Sequence, residues 1–231
     1  MPRASIVIPA YNHAVRLRRA VDSALAQTLA AEVVVVDDAS TDETPAVIAE
    51  YAERVTAVRA RSRGGPARAR NVGLGVTSGE FVMFLDADDE VAPTKVAEQV
   101  AVLDADRSAG WVYCDVEIRD DARNRRVLAS EKYGYALRRR EGDLLAELLV
   151  ENFIPVHAPL VRRACVPGPF DERAAREDWD FWVRVAAASP ARYVPRVLAT
   201  YHVGAGGRNT LPNSPAAQRE EQCRHDESTR V

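Results

Sequence analysis

Four acids crowd into five positions at Asp86-Ala87-Asp88-Asp89-Glu90, directly behind the apolar run Phe81-Val82-Met83-Phe84-Leu85. Such a run is long enough to cross a core as a buried strand and too short for a helix. The acids must then sit where the strand meets water or a cation. Alternating Asp86 and Asp88 aim two hard oxygen ligands toward one point, which suits Mg²⁺ or Mn²⁺ shared with a substrate's phosphates. A helix–loop–helix calcium loop does not fit. It wants Gly at the sixth position and Glu at the twelfth, where this chain has Val91 and Ala97.

The elements that must position these acids follow from periodicity. Residues 4–8 read as a buried strand stopped by Pro9, then the loop Tyr11-Asn12-His13 and a helix with Leu17, Val21, Ala24 and Leu25 on one face. Glu32-Val33-Val34-Val35-Val36 is apolar on both faces, the pattern of a central parallel strand, and ends in Asp37-Asp38. Ser40 and Glu43 have capping-box spacing and Pro45 suits a first turn, predicting a helix to about Glu53. Strands at 55–60, 81–85 and 111–116, with helices at 66–76 and 94–104, complete a βαβ alternation and predict an α/β fold with a mostly parallel sheet.

Ligands bind outside the carboxyl ends of the strands in such sheets. Right-handed crossovers would bring Pro9–Asn12, Asp37-Asp38 and Asp86–Asp89 to one edge. Residues 117–142 turn charged and Arg-rich, predicting an excursion or hairpin. A helix at 143–151, an apolar segment at 158–161, a helix at 179–187 and strands at 191–194 and 197–201 follow. We expect one domain over 1–203, divided near 116, and a loosely held polar tail at 204–231.

A chain of 231 residues, 47% of them hydrophobic, can bury a full core. Its net charge of −3 argues against nucleic acid or an anionic membrane surface as the main partner. The cysteines Cys114, Cys165 and Cys223 are odd in number and lack Cys-x-x-Cys spacing, so neither a disulfide framework nor a zinc site is supported. The N-terminus is too short for a secretory h-region, and no apolar run nears the roughly 18 residues of a membrane span. These features predict a soluble, cytoplasmic chain.

Five motifs stand in order: Ser5-Ile6-Val7-Ile8-Pro9-Ala10-Tyr11-Asn12, Val36-Asp37-Asp38-Ala39-Ser40-Thr41-Asp42, Ala69-Arg70-Asn71-x-Gly73, Gly79-Glu80-Phe81 and Leu85-Asp86-Ala87-Asp88-Asp89. In order and spacing they resemble the family 2 glycosyltransferases. Glu177-Asp178-Trp179-Asp180-x-Trp182-x-Arg184 extends the likeness to about residue 200. The resemblance implies a GT-A fold: a Rossmann-like, mostly parallel sheet flanked by helices, with a smaller acceptor-side region. Residues 1–116 would bind the nucleotide-sugar and 117–203 the acceptor. It also implies inverting, metal-dependent transfer from a nucleotide-diphospho-sugar, foremost a UDP-sugar, to an acceptor hydroxyl in glycan or glycoconjugate biosynthesis. The acceptor would be a glycan, a lipid-linked sugar or a small molecule, with peripheral membrane association only through that acceptor.

Roles follow from the same resemblance. Asp38 would accept a hydrogen bond from the base, and Pro9, Ala10 and Tyr11 would line the base and ribose pocket. Arg70 would lie near the donor, its fork suited to phosphate or carboxylate, while Asn71 braces a loop. Asp88 would bind the Mn²⁺ or Mg²⁺ that bridges the phosphates. Asp86, with Ala87 beside it, would meet the ribose or the metal's waters. Asp178 would be the general base, with Glu177 as the fallback. Trp179 and Trp182 would offer a flat face to an acceptor, one of them also reading as core. The alternative readings are helix caps for Asp38 and Asp178, a packed ring for Tyr11 and an exposed helix arginine for Arg70.

The chain departs from the pattern where the family often carries Tyr-Arg-x-His and this sequence has Tyr201-His202-Val203-Gly204. His202 reads as the missing imidazole or as a surface histidine. Arg208, with Gly204, Gly206 and Gly207, reads as a lid over the donor, and His157 as a packed residue. Two rivals stand. A haloacid-dehalogenase-type phosphatase would form an aspartyl phosphate on Asp86, although Glu90 replaces its Thr or Val. A non-catalytic nucleotide-sugar-binding protein would bind UDP and transfer nothing.

Overall fold

The computed structural model describes residues 2–137 and 140–203. Strands β1 (Ala4–Ala10), β2 (Glu32–Asp37), β3 (Thr56–Arg59) and β4 (Phe81–Phe84) pair in parallel. Beyond β4 come β5 (Glu90–Val91), β6 (Trp111–Asp120), β7 (Arg125–Leu128), β8 (Leu160–Arg162) and β9 (Ala191–His202). They make one nine-stranded sheet in the order β3-β2-β1-β4-β8-β6-β9-β5, with β7 on β6. β8 runs antiparallel to β4 and β6, so β6 and β9 again point the same way as β4.

The valines of β2 show the layering. Val33 and Val35 join the core of Leu17, Val21, Val47 and Ile48, from α1 (Ala14–Leu25) and α2 (Thr44–Ala49). Val34 and Val36 pack instead on Ala69 of α3 (Pro66–Val76). A strand alternates its faces, so α1 and α2 cover one side of the sheet and α3 the other. Gly73 lets α3 lie flat, since a Cβ there would come within 2.3 Å of Val7 Cγ1.

Gly79 is tighter still: its Cβ would meet the Ala4 carbonyl carbon at 2.6 Å and the Ser5 nitrogen at 2.7 Å. Backbone cannot give way as a side chain can. Gly79→Ala should therefore lower stability by about 2–3 kcal/mol, the upper part of the usual cost of overpacking. An unshifted denaturant midpoint would contradict that packing.

Pro9 does not stop β1; it pairs with Val36, and the strand runs on to Ala10. The reason lies in the neighbour. Val7 accepts from Leu85 N–H on the β4 side, and Pro9, two residues on, faces the same side after the β4 register has ended at Val7–Phe84. Its missing N–H therefore leaves no ladder bond unmade. The two strands expected at 191–194 and 197–201 are one, β9, whose register against β6 slips around Pro195. The 117–142 excursion begins as a hairpin, with Glu117–Asp120 paired to Leu128–Arg125.

In the second half, α4 (Lys95–Ala105) and α5 (Ala129–Lys132) pack on β6, and α6 (Leu145–Val150) packs on α7 (Glu177–Ala188). Aromatic rings hold α7 to the sheet: Trp182 stacks on Trp111 at 6.3 Å, and Phe181 on Phe170 at 4.0 Å with Phe84 edge-on to both. That packing fixes where the first turn of α7 points. Arg208 and the rest of 204–231 lie outside the described residues. Among the described residues no helix is long and apolar enough to cross a membrane.

Candidate active site

Parallel pairing brings the ends of β2, β1 and β4 to one edge, and β1 lies between the other two. Asp38 and the Asp86–Asp89 turn thus sit about 10 Å apart in strand spacing, on the same side of the molecule. The turns interlock there. Asn12 (φ 55°) and Ala39 (φ 60°) both adopt the left-handed conformation. Asn12 N–H donates to Ser40 Oγ at 3.0 Å, and Thr41 N–H donates to Asn12 Oδ1 at 2.9 Å.

Ser40 therefore does not cap α2 as its spacing predicts. Asp42 Oδ1 accepts from Thr44 N–H instead, because Ser40 is already buried against the β1 loop. Asp38 is not a cap of α2 either. Its buried carboxylate accepts from Gly64 N–H at 2.8 Å and Gly65 N–H at 2.7 Å, clipping the loop that enters α3. Pro9 and Ala10 are buried in β1, and Ala10 C=O accepts from Asp38 N–H. Tyr11 is half-buried, with the Arg63 guanidinium 4.1 Å over its ring.

Arg70 is not an exposed helix arginine. It is buried, donating to Asp86 Oδ1 at 2.7 Å and Glu177 Oε1 at 2.6 Å. Burial opposes its charge, but Asp86, Glu177 and Asp178 outweigh it and raise the guanidinium pKa. The fork expected to face the donor is taken by the protein's own carboxylates. One arginine thus ties the tip of β4 to the first turn of α7, residues far apart in the chain. Asn71 braces a loop as its position suggested, its amide exchanging both hydrogen bonds with the Phe170 backbone.

Asp178 lies beside this pair, Oδ2 accepting from Asn152 Nδ2 at 3.3 Å and Oδ1 from Trp179 N–H at 2.8 Å. Burial raises its pKa, and the charges of Glu177 and Asp86 add to that against Arg70. Trp182 is fully buried and offers no face to an acceptor; its stack on Trp111 makes it core. Trp179 is half-buried, its indole N–H donated to Leu148 C=O at 2.5 Å.

Asp88 is half-buried, with Arg16 Nη1 at 3.5 Å from Oδ2 and Arg19 donating to its main-chain oxygen. Ala87 is buried between the two acids. Asp89 turns inward and is wholly buried, with Oδ1 accepting from His202 N–H at 2.8 Å and Oδ2 at 3.1 Å from His157 Nδ1. Burial raises its pKa against the pull of His157. His157 is packed, as expected. His202 is not a surface histidine: it is buried, Nε2 at 2.9 Å from Glu90 Oε1. Arg16, Arg19 and Asn152 were missed by sequence reading, since no local spacing marks them.

A sequence model described as Glycosyl transferase family 2 matches residues 5–165. The succinoglycan biosynthesis protein ExoO of Rhizobium meliloti (strain 1021) is 41% identical over 107 residues, which is 46% of this chain and 31% of that protein. The mannosyltransferase PcManGT from Pyrobaculum calidifontis, solved with GDP-Man and Mn²⁺, superposes with a TM-score of 0.69 at 26% identity, covering 89% of this chain and 58% of that one. S. aureus TarS 1-349 with UDP-GlcNAc gives 0.71 at 20% identity over 95% and 64%, a likeness of fold. This chain spans less than two thirds of each of these three.

Proposed function

The chain belongs to glycosyl transferase family 2, and on that premise we propose that it moves a sugar from a nucleotide-diphospho-sugar to an acceptor hydroxyl in polysaccharide biosynthesis, with inversion at the anomeric carbon. The observation that carries this is the Arg70 bridge. Acids from the tip of β4 and from the first turn of α7, Asp86 and Glu177, meet on one buried guanidinium, which supports putting the donor-side carboxylates and the candidate base, next to Glu177, in one site.

Among the described residues no group of three or more His, Cys, Asp or Glu side chains could cage a metal. Mg²⁺ is commonly held by one or two carboxylates together with substrate phosphates. Asp88 and the second oxygen of Asp86 would hold the ion, which would neutralise charge on the departing nucleoside diphosphate. Asp178 takes the acceptor's proton as the hydroxyl oxygen attacks the anomeric carbon. The bond to the diphosphate breaks as the new one forms, which inverts the centre. Asp38, Pro9, Ala10 and Tyr11 border the base site, and a base stacking on Tyr11 must displace Arg63 or use the other ring face. Trp179 and the residues after α6 face the acceptor side. Family membership removes the phosphatase alternative; a binding protein without turnover remains the second reading, and the shared fold supports both.

Uridine nucleotides are the first choice of donor, and the GDP-Man complex of PcManGT makes guanosine the competitor. A calorimetric screen of nucleoside diphosphates and their sugars in Mn²⁺ should find a uridine binder whose heat disappears in EDTA. Absence of binding by every UDP- and GDP-compound would remove the reading.

A further inference from the structure

Among the described residues three arginines reach the Asp86–Asp89 turn, and they differ in what occupies them. Arg70 is sealed between Asp86 and Glu177, its side chain 4% exposed. Arg19, on α1, donates Nη2 to the main-chain oxygen of Asp88, while its buried Nε has no hydrogen-bond partner among the described residues. Arg16 stands one turn earlier on the same face of α1, an i,i+3 neighbour. Its side chain is 38% exposed, and its partner is the Asp88 carboxylate at 3.5 Å.

The geometry points to Arg16 as a diphosphate-binding residue that guards Asp88 until the donor arrives. The inference rests on the proposed reading of Asp88 as a metal ligand. An ion pair this long and this exposed contributes little, so a divalent cation on Asp88 displaces it. A guanidinium left beside that cation is repelled unless an anion lies within reach. The donor's two phosphates arrive with the metal, and the planar fork matches their oxygens. Arg16 then shares with the metal the charge that builds on the leaving group. Its place on a helix, rather than on a loop, holds it there without further ordering.

Two ligands of one variant should respond differently. Calorimetry should show Arg16→Ala binding UDP in Mn²⁺ roughly tenfold more weakly than wild type, the scale of one lost charge-assisted contact. Mn²⁺ alone should bind Arg16→Ala as tightly as wild type or tighter, because the guard on Asp88 is gone. Uridine, which has no phosphates, should bind both proteins alike, and Arg16→Lys should recover part of the UDP affinity. Ala is a good helix former at this half-exposed site, so the fold should survive. Parallel titrations with GDP cover a guanosine donor. Undiminished nucleotide affinity in Arg16→Ala, with wild-type binding still metal-dependent and lost in Asp88→Ala, overturns the role of Arg16 and leaves the site intact. Equal losses for uridine and UDP overturn it as well. Wild-type protein that binds neither UDP nor GDP overturns the site reading and this inference together.

Discussion

Asp178→Asn should keep nucleotide-sugar affinity and lose turnover by roughly 10²–10⁴-fold, the usual share of a positioned general base. The swap is nearly isosteric and retains an oxygen for Trp179 N–H, so α7 should stay in place. What it removes is the site for the acceptor's proton. Burial raises the pKa of Asp178, and the carboxyl must be ionised to accept that proton. Activity should therefore fall on the acid side at a pH above the ordinary Asp value of about 4, and the Asn variant's residual rate should lose this limb. A fully active Asn variant would retire Asp178 as the base. Glu177 is poorly placed to succeed it, because Arg70 already holds it at 2.6 Å. Wild-type protein that binds the donor without turnover under any acceptor would favour the binding-protein reading.

Arg70→Ala should destabilise the fold by about 3–5 kcal/mol, the cost of leaving buried charge without its partner. Asp86 and Glu177 would lose their shared cation, and Asp178 would gain their unscreened repulsion. Arg70→Lys should recover only part, since one ammonium cannot reproduce a fork that reaches both carboxylates. Denaturant midpoints of the three proteins measure this directly. A midpoint near wild type for the Ala variant would mean that the bridge does not hold α7 against β4.

Much of the fold was legible because local signals and the global answer agree. The doubled apolar faces of Val33–Val36 fixed a central strand, and the βαβ spacing brought three strand tips to one edge. Pro9 misled because a proline is harmless where its neighbour strand has already ended, a fact of register rather than of sequence. Pro195 misled in the opposite way, splitting by composition a strand that the sheet accommodates through slipped register. Acid positions were readable from their place behind apolar runs. Their partners were not: Arg70 meets Glu177 across more than a hundred residues, Asp89 meets His157 and His202, and Asp178 meets Asn152. Such contacts depend on how α7, β8 and β9 fold back over β4, which no spacing within one segment reveals. Ser40 shows the same limit, since its capping pattern was outweighed by a loop packed against it from β1.

On the proposed function, strand-tip carboxylates grip a divalent cation and, through it, a nucleoside diphosphate. Asp88→Ala titrated with UDP and with GDP, each in Mn²⁺ and in EDTA, tests it most directly. Wild-type affinity should drop when the metal is removed, and the variant should bind weakly and equally with or without it. Metal-dependent binding at wild-type strength in the variant would leave Asp88 without a metal role.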